Sequence, residues 1–202
     1  MKSAYICIEG NIGSGKTTLA RLLAEEVKAR LILEEFEENP FLARFYEEPE
    51  RYSFPLEMSF LADRYHQLKE KVSRQDLFQP VVVSDYTLMK SLVFAGINLG
   101  PVEYRLYRDF FEIINRQLPQ PDLIVFINRS INTAKRNIQL RGRTYEQKIS
   151  SEYLKSVHEA YQIALKGLVK SKYLIINAED MDFLNSKDDL MVVQELIFQA
   201  IR

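Results

Sequence analysis

The sequence predicts an α/β protein of three layers, with helices covering both faces of a five-stranded parallel sheet. Three observations predict it. Short β-rich apolar runs alternate with stretches of helical periodicity. Pro and Gly punctuate the joints, as at Asn39-Pro40, Gly100-Pro101 and Pro119 to Pro121, yet no linker, internal repeat or low-complexity stretch divides the chain. A glycine-rich turn, GNIGSGKT, joins the first apolar run to the first helical one. Strands are expected at Ala4 to Ile8, Leu31 to Leu33, Val81 to Val83, Leu123 to Ile127 and Tyr173 to Ile176. The apolar spacing predicts helices over about 16–29, 54–73, 87–96, 101–117, 131–141, 150–170 and 187–201. With 202 residues, 47% of them hydrophobic, the chain suffices for one domain, 1–202, that buries roughly 70% of its unfolded surface.

Composition excludes several classes of partner. Net charge is -1, from 27 basic and 28 acidic residues, so no overall field exists to hold a nucleic acid polymer or an anionic membrane. Cys7, the only cysteine, lies in the apolar run AYICI and reads as a small buried hydrophobe in a reducing compartment. The N-terminus carries no signal-peptide pattern, and no apolar run approaches the ~18 residues of a membrane span. A cytoplasmic protein is expected.

GNIGSGKT, Gly10 to Thr17, has the Walker A spacing in its proper context, between a strand and a helix. Gly10, Gly13 and Gly15 allow backbone N–H groups to approach phosphate oxygens, and the following helix adds its positive dipole end. Asn11, Ile12, Ser14 and Thr18 complete the expected nucleotide-binding run. Lys16 is placed to span the β- and γ-phosphates of ATP, and the Thr17 hydroxyl is placed to ligate Mg²⁺. The DxxG and NKxD strings of switch GTPases are both missing, and VVVSDY ends in Asp85 without the adjacent Glu of many motor ATPases. A small-molecule kinase of the P-loop fold remains, which needs an acceptor pocket, a base and a movable cationic lid.

Three segments offer these parts. Leu31 to Leu33 runs into Glu34, a carboxylate at the carboxyl edge of the sheet able to take the proton of an attacking hydroxyl, whereas Glu35, Glu37 and Glu38 read as solvated. In FPLEMSFLADRYHQLKEKV, Met58, Leu61, Tyr65, Leu68 and Val72 form a buried stripe bordered by Glu57 and Arg64. Those two lie seven residues apart, about 10 Å along the axis on nearly one face, which brackets a nucleobase. A carboxylate accepting N–H groups beside a donating guanidinium suits guanine, while adenine and cytosine would turn a ring lone pair to Glu57 unless a proton is shared. In LRGRTYEQ, Arg141 and Arg143 flank Gly142, the composition of a lid over about 141–149 that clamps a transferring phosphoryl.

Together IEGNIGSGKTT, EENPF, FYEEPERYSFPLE with Arg64 beyond it, SDY, RGRTYEQ and AEDMDF resemble the deoxynucleoside kinase family, in its bacterial deoxyguanosine and deoxyadenosine kinase branch, over nearly the whole chain. The resemblance implies ATP-dependent 5′-phosphorylation of a deoxynucleoside for nucleotide salvage, deoxyguanosine first and deoxyadenosine next, by a homodimer pairing through 54–73 and 101–117. It also implies that Glu34 is the base, that Tyr46 and Glu146 hold the sugar 3′-hydroxyl, and that Glu57 and Arg64 read the base. Asp85 would help Thr17 position Mg²⁺, Arg141 and Arg143 would be the lid arginines, and Asp182 with Phe183 would lie near the adenine of ATP. Three positions depart from the family pattern: Glu35 replaces a proline, Tyr86-Thr87 replaces arginine-serine, and Asn137 replaces an arginine. Lys90 or the lid is expected to supply the missing charge. Phe94 is a candidate stacking residue outside the main set, and His66 and His158 have no metal-ligand spacing. A nucleoside monophosphate kinase and a nucleotide-gated binding module are the alternatives; the acidic acceptor pocket disfavours a phosphate-bearing acceptor.

Overall fold

The computed structural model describes residues 3–35, 39–72, 79–168 and 171–201. Five parallel strands, β1 (Ala4–Gly10), β2 (Arg30–Ile32), β3 (Val81–Ser84), β4 (Leu123–Asn128) and β5 (Lys172–Asn177), form one sheet in the order β2-β3-β1-β4-β5. Successive side chains of a strand point to opposite faces, so each strand feeds two cores. Ile6 and Ile8 of β1 and Leu123, Val125 and Ile127 of β4 pack with α1 (Lys16–Val27) and α8 (Lys187–Ile201) on one side. Tyr5 and Cys7 of β1, with Ile124 and Phe126 of β4, face the other. There they meet α3 (Pro49–Val72), α4 (Met89–Asn98), α5 (Pro101–Asn115) and α7 (Ser151–Lys166). Cys7 is fully buried there. The predicted three-layer α/β/α arrangement and five-stranded parallel sheet are both present.

Element ends differ where a local rule gives way to packing. Helix α1 stops at Val27 because Lys28 turns left-handed, with φ 52°, and the N–H groups of Lys28 and Ala29 close back on Ala24. The apolar spacing suggests that α3 begins at about 54; it begins at Pro49 and carries Pro55 inside. Leu56 and Phe60 of α3 pack there against Leu42 and Phe45 of a short helix, α2 (Leu42–Glu47), which the periodicity did not predict. Helix α4 runs to Asn98 rather than 96, and α7 stops at Lys166 rather than 170. Residue 73, Glu37, Glu38, and 169–170 lie outside the described residues.

The strand order reverses at β1, flanked by β3 and β4, and the carboxyl ends of β1, β2 and β3 open towards one crevice. Gly10, Glu34 and Asp85 stand at or just beyond those ends. After β4, α6 (Ile131–Arg141) ends at Gly142, whose φ of 73° turns the chain into a short 3-10 turn, Thr144–Glu146.

Candidate active site

One cleft of about 940 Å³, within the range of small-molecule sites, opens at this crevice. Lys16 and Thr17 of α1 line it beside Glu34 and Asp85. Tyr46 of α2 and Glu57 and Arg64 of α3 line its far side, and Arg141, Arg143 and Glu146 its rim. Asp182 and Phe183 are not on its wall. Phe183 is in the core, its ring edge 3.2 Å from where a side chain on Gly15 would begin and with the Arg129 guanidinium 5.1 Å from the ring centre. Asp182 is exposed and accepts N–H bonds from Leu184 and Asn185, capping a turn.

The glycine-rich turn leaves no room for a side chain at Gly10 or Gly13. Gly13 has φ 76°, and a Cβ there would stand 2.3 Å from the Ala134 carbonyl oxygen. Asn137, at the position of the expected arginine, donates from Nδ2 to the Gly13 carbonyl at 2.8 Å and ties α6 to the turn. Asn11 is a strut: Nδ2 donates to the Leu154 carbonyl at 2.7 Å and Oδ1 accepts the Ile12 N–H at 2.8 Å. The Ser14 hydroxyl is buried with no partner among the described residues. Lys16 Nζ donates to the Asn11 carbonyl at 2.7 Å, and burial, then the nearby Lys90 ammonium, lower its pKa to about 8. Only glycine tolerates these contacts, and a cationic head beside open amide groups is the chemistry of a polyphosphate cradle.

Asp85 joins that cradle to the rest of the cleft. Its Oδ2 accepts the Thr17 hydroxyl at 2.5 Å, and its Oδ1 accepts the Glu34 backbone N–H at 2.9 Å. A hydroxyl and a carboxylate side by side are hard oxygen donors that suit Mg²⁺, an ion that keeps waters and phosphate oxygens as its remaining ligands. No group of three or more His, Cys, Asp or Glu able to hold a metal exists among the described residues.

Glu34 lies between two cations. Arg64 donates from Nε to Oε1 at 2.8 Å, with Nη2 also 2.8 Å away, and Lys90 Nζ approaches Oε2 at 2.5 Å. Burial alone would raise the pKa of this carboxyl; Lys90 and Arg64 outweigh it and hold the value at about 2. Arg64 therefore anchors Glu34, and its third nitrogen, Nη1, donates to the Ser91 hydroxyl at 2.9 Å. The seven-residue spacing suggested a guanidinium free to face a base; here Arg64 is bound to the catalytic candidate instead, although it shares the cleft with Glu57. Glu57 is pushed the other way. Burial raises its pKa to about 7, against the pull of Arg64 and a 2.7 Å hydrogen bond from Asn98 Nδ2 to Oε1.

At the rim, Arg141 Nη2 meets Glu146 Oε2 at 2.5 Å, and Arg143 Nη1 meets Oε1 at 3.5 Å. The two arginines and the acid assigned to the sugar are thus bound to one another. The Tyr46 ring stacks on Tyr145 at 6.0 Å, and burial raises its hydroxyl pKa above the ordinary value.

Sequence reasoning named Lys90 and Phe94 of one wall separately but left out Asn98 and the face that joins them. Lys90, Phe94 and Asn98 recur every fourth residue on α4, and all three line the cleft. That spacing was a readable signal of a polar and aromatic helix face. Glu9 is fully buried, accepting Thr87 N–H and hydroxyl bonds at 2.8 and 2.9 Å and the Tyr161 hydroxyl at 2.9 Å. The replacement of arginine-serine by Tyr86-Thr87 is structural here: Thr87 satisfies Glu9, and the Tyr86 hydroxyl donates to Gln67.

The family model for deoxynucleoside kinase matches residues 6–201. The chain belongs to the deoxynucleoside kinase family. It is a kinase and so a transferase. Among this family's characterised members it is 35% identical over 189 residues to a deoxyguanosine kinase of Bacillus subtilis (strain 168), covering 92% of this chain and 91% of that one. It is 28% identical over 208 residues to a deoxyadenosine/deoxycytidine kinase of the same organism, covering 99% and 94%. The fold of a deoxyadenosine kinase from M. mycoides, solved with bound dATP, superposes with a TM-score of 0.82 at 23% identity over 96% of this chain and 99% of that one. No helix among the described residues of this deoxynucleoside kinase is long and apolar enough to cross a membrane.

Proposed function

We propose that this kinase phosphorylates the 5′-hydroxyl of a purine deoxynucleoside, deoxyguanosine before deoxyadenosine, with ATP as donor, for nucleotide salvage in the cytoplasm. The observation that carries it is the shared cleft: Lys16 of the phosphate cradle and Glu34 line one cavity, with an acid-rich wall beyond them. In this reading Lys16 and the amides from Gly10 to Thr18 bind the donor phosphates. Thr17 and Asp85 would hold Mg²⁺, which supplies charge neutralisation to the phosphates. Tyr46 and Glu146 position the sugar, and Glu57 meets the base, with Arg64 fixing the orientation of Glu34. The attacking hydroxyl takes the place of Lys90 at Glu34 Oε2, which then accepts its proton, leaving the ammonium free to stand where Tyr86 offers no cation. Arg141 and Arg143 exchange Glu146 for the transferring phosphoryl as the lid, about 141–149, closes. In this reading Phe183 acts on the adenine side by shaping the back of the cradle at Gly15, and Asp182 holds the turn that follows it.

We read the chain as one domain, 1–202, that pairs as a homodimer. Supporting the second part, α5 carries Val102, Leu106, Phe110 and Ile113 exposed along one stripe, Val102 at 83%. The decisive assay uses purified protein, ATP, Mg²⁺ and each of the four deoxynucleosides or their monophosphates. Expected is ATP consumption that depends on a deoxynucleoside, greatest with deoxyguanosine. Turnover with monophosphates alone would identify a monophosphate kinase, and ATP binding without acceptor-dependent turnover a binding module.

A further inference from the structure

Glu57 has two oxygens in unlike surroundings. Oε1 accepts from Asn98 Nδ2 at 2.7 Å, and Asn98 cannot reverse its amide freely because its Oδ1 accepts the Tyr153 hydroxyl at 3.1 Å. Oε2 is buried with no hydrogen-bond partner among the described residues, although Glu57, Asn98 and Tyr153 all line the cleft and Glu57 is 1% exposed. A buried carboxyl oxygen without a donor is costly when ionised, and two remedies exist: a ligand N–H, or a proton of its own.

We propose that Asn98 and Tyr153 are positioning residues that leave Oε2 of Glu57 alone to meet the base, and that a proton on this oxygen decides which base edge the kinase accepts. Ionised, Oε2 accepts the N1–H of guanine or hypoxanthine. Protonated, it donates to the bare N1 of adenine or N3 of cytosine. The inference rests on the assignment of Glu57 to the base. The position of its proton near neutrality is supported by the burial that lifts its pKa to about 7. The charged groups around it are Arg64 on α3, Lys90 on α4 and Glu34 beyond β2. The titratable hydroxyls are those of Tyr107 on α5, Tyr153 on α7 and Tyr46 on α2. Each tyrosine is held neutral by burial, so none titrates in the same range.

The test is the ratio of kcat/KM for deoxyadenosine to that for deoxyguanosine, measured with the full chain from about pH 6 to about pH 8. A ratio of specificities cancels pH effects on Lys16, Glu34 and the donor, and exclusive use of one charge state by each base changes it by about tenfold per pH unit. Expected is a fall of up to about 100-fold with rising pH, with deoxyinosine following deoxyguanosine because both carry N1–H. Glu57→Gln, which cannot ionise, should give a flat ratio while still turning over. Asn98→Leu removes a donor to the carboxylate and should move the profile to higher pH by about one unit, and Tyr153→Phe in the same direction by less. A merely structural role for Asn98 would lower both rates without moving the ratio, and would overturn its part. A flat wild-type ratio, or a slope that survives in Glu57→Gln, overturns the proton assignment while leaving the kinase reading intact. Absence of turnover with every deoxynucleoside overturns both.

Discussion

Glu34 and Glu57 are carboxylates on the wall of one cleft, and their surroundings drive them apart. Two cations within 2.8 Å keep Glu34 ionised far into acid, whereas Glu57 has a single amide donor and a buried second oxygen. A pair of titratable groups displaced in opposite directions commonly marks divided labour at an active site. If Glu34 is the base, Glu34→Gln should lower kcat by ~10² or more with little change in KM, because the proton moves only in the transition state. Steady-state kinetics with deoxyguanosine decide this, and unchanged kcat would remove Glu34 from the role. The residue types were legible in the sequence because strand ends and helical spacing announce them. The partner of Arg64 was not: spacing along α3 relates it to Glu57, and only the approach of β2's end to α3 and α4 hands it to Glu34, 30 positions away.

At the scale of elements, propensity located every strand and every long helix, and packing moved their ends. Pro55 inside α3 removes a backbone bond, yet burial of Leu56 and Phe60 against α2 offsets that loss and extends α3 to Pro49. Helix α2 has six residues, too few for periodicity to register, and exists because Leu42 and Phe45 are buried on α3. Helix α5 presents two apolar faces: Tyr107 and Phe111 inward, and Leu106, Phe110 and Ile113 outward. If a second copy covers the outer face, the double substitution Leu106→Glu with Phe110→Glu should give a folded monomer, read by sedimentation velocity beside an unchanged circular dichroism spectrum. A wild-type monomer would withdraw the homodimer.

For the molecule as a whole, the two glutamates predict how stability varies with pH. The folded pKa of Glu34, about 2, lies below its ordinary 4.5, so its contribution is present above pH 4.5 and is lost as pH falls towards 2. Glu57 is raised from 4.5 to about 7, so its contribution is full below pH 4.5 and lost as pH rises through 7. Each shift corresponds to about 3 kcal/mol. Glu9, raised by burial, adds to the second limb. Urea unfolding should therefore show declining stability between about pH 5 and about pH 8, and Glu57→Gln should shrink that decline by about 3 kcal/mol. An equal decline in the variant would mean that Glu57 is not the group responsible.

From its amino acids alone, this protein had its three layers, its sheet and its glycine-rich turn determined, since each rests on neighbours within a few residues: alternation in strands, periodicity in helices, glycines whose φ a turn requires. The tertiary structure alone decided which charges meet. Whether Glu34 pairs with Arg64 and Lys90, whether Asn98, held by Tyr153, claims one oxygen of Glu57, and whether Glu146 holds Arg141 and Arg143 depend on how distant elements pack. Burial then sets the strength of those interactions and the protonation of the groups, because a low-dielectric wall magnifies every charge and donor it encloses.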